Sequence, residues 1–205
     1  MKSSLICSLA ICFIAVFGDY VVFQSKMAQS FAFRAVADSF VHASIGCLSS
    51  ILFFSQDLTF SVQAKVYNIV FCTIVSSLID VDHVFVAKSF YLKDYTHLKQ
   101  RGIFHCTTFW MIVTTILLTY SNIAKKLNIY VLSWMLILAF TSHHIRDANR
   151  RGLWMYPYGH TPPIPKYLYV LLVATLPMLL AYIYPCCKPA DKYAILHYRS
   201  DNLVI

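Results

Sequence analysis

A polar run at positions 77–89, SLIDVDHVFVAKS, holds the residues best suited to chemistry in this chain. Asp80, Asp82 and His83 stand within four positions at the end of an apolar stretch. Ionised groups cost several kcal/mol when they are buried in an apolar medium without partners. We therefore expect these three side chains to contact polar partners elsewhere in the chain.

Three further polar groups interrupt apolar segments: His42 in VHASIG, His105 in RGIFHC, and His143 with Asp147 in SHHIRD. Residues three or four positions apart share one face of a helix. His143 and Asp147 therefore point the same way, and so do Asp80 and His83. Imidazole and carboxylate groups together suit zinc, manganese, iron and nickel.

The combined groups predict a divalent metal site, with zinc or manganese as the bound ion. A bound cation makes water nucleophilic near neutral pH, while a free carboxylate or imidazole accepts the proton. The chain contains no Glu, so only Asp or His can be that base. We predict catalytic roles for Asp80 and Asp147. The predicted metal ligands are His42, Asp82, His83, His105 and His143.

Structural interpretations of the same residues stay open. Asp80 and Asp82 are two positions apart, so on a continuous helix they point in different directions. Either the helix breaks at DVDH, or one Asp is a ligand while the other supports a ligand or caps the helix. His42 can be a packing residue at a helix start, and His143 with Asp147 can form a hydrogen-bonded pair.

The elements that carry these residues are predicted to be membrane helices. Of 205 residues, 59% are hydrophobic and 13% are charged, about half the charged share of an ordinary soluble domain. Six apolar runs approach the length of a bilayer crossing: 5–23, 40–55, 66–87, 103–121, 127–142 and 167–187. The sequence therefore predicts one domain over 1–205, an all-α polytopic membrane helix bundle with about six transmembrane helices.

Two of these runs have alternative interpretations, either of which leaves five spans. The first run follows Lys2 and resembles a secretory signal peptide, but it lacks a small-x-small cleavage site and stays apolar after Asp19. We favour a retained helix. The second run is short, and tilt, a thinner bilayer or a start near Phe33 would accommodate it.

Counting the crossings places all four polar groups at one membrane face. Two groups open even-numbered helices and two close odd-numbered ones, and consecutive helices run in opposite directions. The net charge of +8 is spread over every loop, which favours contact with lipid headgroups. The seven Cys form neither a disulfide framework nor a zinc pattern, and no nucleic-acid motif occurs. The predicted partner is the lipid bilayer, and the sequence indicates neither a protein partner nor an organelle.

Three segments carry a family resemblance: SSLIDVDHVFVAKS, RGIFHCTTFW and TSHHIRDANRRGLWMYPYGHTPPIPKYLYV. They resemble the matching segments of the transmembrane protein 267 family of animal multi-pass membrane proteins, and the resemblance extends over most of the chain. It implies a protein with no established biochemical activity.

A more distant resemblance links four ordered motifs to bacterial inner-membrane proteins described as metal-dependent hydrolases. The motifs are H-x-x-x-G (His42, Gly46), D-x-D-H (Asp80, Asp82, His83), R-G-x-x-H (Arg101, Gly102, His105) and H-x-x-x-D (His143, Asp147). The third motif of that family usually reads H-R-G-x-x-H, and here Gln100 replaces the leading His. The Thr that tends to follow the last Asp is also missing. The resemblance implies metal binding. The replacement of the leading His by Gln100 and the missing Thr argue against catalysis.

Two classes of function stay open, and a third fits less well. The first is a membrane-embedded metal-dependent hydrolase that acts on an interfacial substrate such as a phosphoester or a lipid headgroup. The second is a non-catalytic membrane protein whose polar residues satisfy one another between helices. A transporter is third, because a proton relay prefers ionisable groups near the bilayer midplane.

Overall fold

The fold is an all-α bundle, which confirms the prediction from the hydrophobic pattern. A computed structural model describes residues 2–56, 58, 60–88, 91 and 101–189. The α-helices assigned there are α1 (Lys2–Phe23), α2 (Phe31–Phe54), α3 (Val62–Leu78), α4 (Asp82–Ala87), α5 (Thr107–Ala124), α6 (Leu127–Arg151) and α7 (Lys166–Ile183). A 3-10 turn at Ile79–Val81 joins α3 to α4. A short hairpin of β1 (Trp154–Met155) and β2 (Gly159–His160) precedes α7.

Five segments of the described chain are long and apolar enough to cross a membrane: Ser3–Phe23, Phe31–Phe54, Val62–Ala87, Thr107–Ala124 and Lys166–Cys187. They confirm the prediction of a multi-pass membrane protein. α6 carries charged residues near its C-terminal end and is not in this set. It is nevertheless buried along most of its length, from Tyr130 to Ala148. Polar and charged residues in membrane bundles face the protein interior, which is where α6 places them.

Several helix boundaries differ from the sequence prediction. The predicted run 66–87 is divided by the 3-10 turn at Ile79–Val81 into α3 and α4. α2 begins at Phe31 rather than at position 40, because the Ser30 hydroxyl accepts a backbone N–H and caps the helix. α5 begins at Thr107, because the preceding residues form a 3-10 turn at Ile103–His105. α6 continues to Arg151, so the polar run that was predicted to close this helix lies inside it.

Two apolar clusters pack the helices together. One cluster joins the end of α2, the start of α6 and the end of α7 through Phe53, Trp134 and Tyr184. The other joins α1, α2 and α7 through residues such as Ile11 and Ile45. Lipid tails are as apolar as these side chains, so close packing, rather than escape from water, provides the attraction.

α2 and α3 approach most closely at Gly46. A Cβ atom at this position would lie 2.6 Å from the Cβ atom of Ser76. The Ser76 hydroxyl donates to the His42 carbonyl at 3.0 Å, and the Cys72 thiol donates to the Gly46 carbonyl at 3.5 Å. Small residues allow such close contact between membrane helices. The contact fixes His42 beside α3.

The helix lengths set the depth of the polar residues. α3 rises about 26 Å and α5 rises about 27 Å, and both values approach the hydrocarbon thickness of a bilayer, about 30 Å. The polar groups at the end of α3 and just before α5 therefore lie near one membrane interface. α2 extends about 17 Å beyond His42 on that side, because it starts at Phe31.

Candidate metal centre

Three buried imidazoles meet where α2, α6 and the turn before α5 converge. They belong to His42 on α2, His105 in the turn and His143 on α6, and all three side chains are almost fully buried. The rings of His42 and His143 stack with 3.7 Å between their centroids. The Nε2 atom of His143 lies 3.3 Å from the Nε2 atom of His105.

The hydrogen bonds of two of these rings assign their tautomers. His143 donates from Nδ1 to the Ser76 carbonyl at 2.8 Å, because a carbonyl can only accept. His105 donates from Nδ1 to the carboxylate of Asp82 at 3.0 Å. In the neutral rings, both Nε2 atoms then present lone pairs to each other. A proton or a cation between them removes this repulsion, and metal-ligating histidines use the same Nδ1 bonding pattern.

Asp80 completes a triangle of donor atoms with these two imidazoles. Its Oδ1 atom lies 3.3 Å from His105 Nε2 and 3.6 Å from His143 Nε2. Zinc binds nitrogen at about 2.0–2.1 Å, which separates neighbouring ligand atoms of a tetrahedron by about 3.3–3.4 Å. The three donor atoms therefore have the spacing of one face of a coordination tetrahedron.

Asp147 and His42 lie on the other side of this triangle. Asp147 Oδ1 lies 3.5 Å from His42 Nε2, and Asp147 Oδ2 lies 3.5 Å from His105 Nε2. Both ring nitrogens of His42 are buried and make no hydrogen bond, because the approach of Asp147 lacks hydrogen-bond geometry. A buried polar atom without a hydrogen bond is costly. Coordination of a cation by Nε2 satisfies it, so the residues present fit a metal ion.

The charges around the cluster also favour a dication. Its five carboxylates are those of Asp19, Asp38, Asp80, Asp82 and Asp147, and its three guanidinium groups are those of Arg101, Arg146 and Arg150. With neutral imidazoles, these eight groups together carry two more negative charges than positive ones. Within the described residues, neither Asp80 nor Asp82 has a Lys or Arg within ion-pair distance.

Protonation of His105 is the competing way to supply positive charge. Burial lowers the pKa of His105, but hydrogen bonds with Asp147, Asp80 and Asp82 outweigh burial and raise this pKa well above its usual value. A proton on His105 Nε2 would occupy the position that a metal ion needs. A metal ion that bound at this cluster would therefore displace a proton.

Asp82, one of the predicted metal ligands, contacts the Nδ1 side of His105. Both oxygens of Asp82 lie 3.0 Å from His105 Nδ1, and Oδ2 also accepts the His105 backbone N–H at 3.3 Å. They are thus on the opposite edge of the imidazole from Nε2, where they fix the orientation of the His105 ring. The backbone of Gly102 leaves room for this carboxylate, because any side chain there would overlap it.

Asp80 and His83 lie at different distances from the paired imidazoles of His105 and His143. Asp80, predicted as catalytic, places Oδ1 within 3.6 Å of the Nε2 atoms of both His105 and His143. The His83 ring packs edge-on against His105, and its Nδ1 donates to the Asp80 carbonyl at 2.9 Å. His83 is therefore at the rim of the cluster. With Asp80 and His105 it forms a separate set whose donor atoms all lie within 4.8 Å of one another.

His144 is buried beside the cluster but faces away from it. Its Nε2 donates to the Phe104 carbonyl at 2.9 Å, and its Nδ1 accepts from the Thr107 hydroxyl at 3.1 Å. Both nitrogens are therefore engaged in structural bonds. Gln100 stands where the bacterial inner-membrane proteins usually have a His. Its position lies outside the described residues.

The sequence analysis missed a buried charge triad next to the cluster. Arg146 on α6 lies 3.0 Å from Asp19 on α1 and 2.7 Å from Asp38 on α2, and Tyr169 donates its hydroxyl to Asp19. Asp38 also forms a possible metal set with His42 and Asp80. The available signal was the four-residue spacing of Asp38 and His42, which matters only when α2 begins upstream of Asp38.

Comparison with known proteins gives one consistent result. The chain is 34% identical to transmembrane protein 267 of Xenopus laevis over 84% of this chain and 77% of that protein. It is 32% identical to the Bos taurus protein of the same name over 88% and 82% of the two chains. For the Danio rerio protein the identity is 33% over 92% and 82%. No family model and no solved structure matches the chain.

These similarities extend over most of both chains, and they agree with the several apolar helices of the bundle. They include the segments that hold the polar cluster, because 92% of this chain is aligned with the Danio rerio protein. The chain belongs to the transmembrane protein 267 family.

Proposed function

We propose that this multi-pass membrane protein binds one divalent cation, zinc or manganese, and acts as a metal-dependent hydrolase at the membrane interface. The observation that carries the proposal is the pair of facing Nε2 atoms of His105 and His143, 3.3 Å apart and both oriented by Nδ1 hydrogen bonds. The proposed ligands are His42, His105, His143, Asp80 and Asp147.

The surrounding residues have supporting roles in this proposal. The carboxylate of Asp82 and the carbonyl of Ser76 fix two imidazoles with Nε2 toward the centre. Arg101 and Arg150 lie 3.6 Å and 3.3 Å from the carboxylate of Asp147 and hold it in place. These partners hold the donor atoms close together before a cation binds. This reduces the free-energy cost of bringing the ligands together.

A divalent cation supplies Lewis acidity, which lowers the pKa of coordinated water toward neutrality. The chain itself supplies the proton acceptor. Asp80 is suited to that role because it directs Oδ1 to the imidazoles and is 23% exposed, whereas Asp147 is 10% exposed. A carboxylate with one oxygen at the centre leaves the other oxygen available for a proton.

The first test is the metal content of the purified protein. Wild type prepared without chelators and incubated with zinc or manganese should retain about one ion per chain. His143→Ala should retain almost none, because it removes a central donor. His144→Ala is the matched control: it removes an adjacent buried imidazole that faces away, and it should retain the ion.

The opposite result identifies the alternative function. Wild type that binds no metal under these conditions would leave the cluster as an interhelical polar network in a non-catalytic membrane protein. Hydrolysis is tested separately with phosphoester substrates, because a structural metal site and a catalytic one give the same metal content. A loss of turnover in Asp80→Asn that exceeds its loss of metal content is expected for a ligand that also accepts the proton.

A further inference from the structure

A cavity of about 340 Å³ lies beside the Asp/His cluster, between the first turns of α2 and the end of α3. The residues that matter for its chemistry are Phe31, Arg34, Asp38, Asp80, Val81 and His83. Sites for small molecules span about 300–1,000 Å³, so this cavity suits a group of headgroup size. It contains Asp80 and His83, which also form a possible metal set with His105.

α2 and α3 are in contact at Gly46 and Ser76, and they separate toward the start of α2, where the cavity opens. Gly46 presses against Ser76, and that contact holds α2 and α3 together on the side away from the interface. Asp38 is two turns of α2 above Gly46, and Arg34 is one turn further, about 6 Å beyond Asp38 along the axis. The cavity begins at the Asp/His cluster and opens toward the membrane interface.

The lining combines charged side chains with exposed apolar ones. The carboxylates of Asp38 and Asp80 lie on the inner side, and Asp38 is neutralised by Arg146 at 2.7 Å. Phe31 and Leu78 also line the cavity, and they are 47% and 52% exposed. In a helix bundle that crosses a bilayer, such exposed apolar side chains face lipid.

Arg34 is the cation of this cavity. Among the described residues, no carboxylate lies within ion-pair distance of Arg34, whereas Arg101, Arg146 and Arg150 each have one. Its guanidinium carbon lies 6.0 Å from the ring centroid of Phe31. A guanidinium without a carboxylate partner among the described residues, beside the proposed metal centre, is suited to bidentate binding of a phosphate group.

We propose that this cavity is the substrate site of the metal centre and that it binds the phosphate of a lipid-anchored phosphate ester between Arg34 and the cation. The inference rests on the proposed function, because without a cation the carboxylates at the inner end repel an anion. The headgroup occupies the cavity, and the acyl chains leave past Leu78 into the bilayer.

The test measures binding of short-chain phosphatidic acid, dihexanoylphosphatidic acid, to manganese-loaded protein in detergent. Bound manganese broadens the phosphorus resonance of a nearby phosphate, which gives a binding curve that needs no turnover. Arg34→Gln should weaken this binding about tenfold, the effect of losing about one charge-assisted hydrogen bond. Lys26→Gln is the matched control: it removes an exposed cation at the same membrane side, outside the cavity, and should bind as wild type does.

A second arm uses glycerol 3-phosphate, which has the same phosphate but no acyl chains. Weaker binding of this probe is expected, and equally tight binding would overturn the lipid assignment in favour of a soluble phosphate ester. Equal losses in Arg34→Gln and Lys26→Gln would refute the role of the cavity.

The metal content of every sample separates the two proposals. Wild type that retains manganese but binds neither probe would refute the substrate site and leave the metal centre intact. Wild type without manganese would refute both. Unchanged metal content and thermal stability in Arg34→Gln are the checks that the variant is folded.

Discussion

At the scale of single residues, the most informative pair is Asp82 and His105. Asp82→Asn keeps a hydrogen-bond acceptor for His105 Nδ1 but removes the charge that makes the imidazole a stronger ligand. We expect metal affinity to fall about 10- to 100-fold, as for other residues that support metal-binding histidines. Competition with a chelator of known affinity measures the change.

A purely hydrogen-bonded network predicts a different outcome for the same variant. Interhelical hydrogen bonds in membrane proteins contribute about 0.6 kcal/mol on average, so Asp82→Asn would then be nearly silent in thermal stability and in metal content. Wild type and variant with identical melting curves and identical metal content would support that alternative.

The sequence predicted which residues gather but not which atoms face one another. The four polar groups were recognised from residue type, spacing and the crossing count. The roles of Asp80 and Asp82 depend on the 3-10 turn at Ile79–Val81, which has about 3.0 residues per turn instead of 3.6 and therefore changes where each side chain points. Hydrophobic periodicity carries no information about such a local change.

At the scale of helices, the buried Arg146 joins three elements through ion pairs with two partly buried carboxylates. It lies on α6 and contacts Asp19 of α1 and Asp38 of α2, and its side chain is 1% exposed. Arg146→Met keeps much of the side-chain volume but leaves two carboxylates without their partner. We expect a loss of about 3–5 kcal/mol in the free energy of unfolding, the usual cost of breaking a buried pair.

Arg150→Met provides the control for this prediction. Arg150 pairs with Asp147 at 3.3 Å but is 40% exposed, so its loss should cost only about 0–1 kcal/mol. Reversible unfolding in mixed detergent and denaturant compares the two variants. A similar small loss in both would show that the triad does not stabilise the bundle.

The C-terminal end of α6 shows why the local sequence pattern did not predict every helix boundary. The end of α6 was placed at position 142 because polar residues follow, yet the helix continues to Arg151. Those residues stay helical because His143, Arg146 and Asp147 find buried partners on other helices. A partner that is distant in sequence leaves no trace in the local pattern, so both this boundary and Asp38 were missed.

At the scale of the whole molecule, the distribution of charge predicts an orientation. Of the 17 Lys and Arg residues, ten lie on the side that carries the cluster when the chain is divided at the six crossings that the hydrophobic pattern predicts. Cytoplasmic loops are enriched in basic residues, so the cluster should face the cytosol and both termini should not. A glycosylation site added to the C-terminal tail should be modified in microsomes, and an unmodified tail beside a modified lumenal control would reverse the orientation.

The convergence of the cluster has a further consequence for how the protein accumulates in cells. His42, Asp80 and His143 come together only after α2, α3 and α6 have assembled, and their neighbours leave two negative charges to be balanced. A cation that binds only the assembled state stabilises it by mass action, and marginally stable chains are removed by quality control. Under the proposed metal binding, the supply of zinc or manganese therefore sets how much of the newly made protein survives degradation.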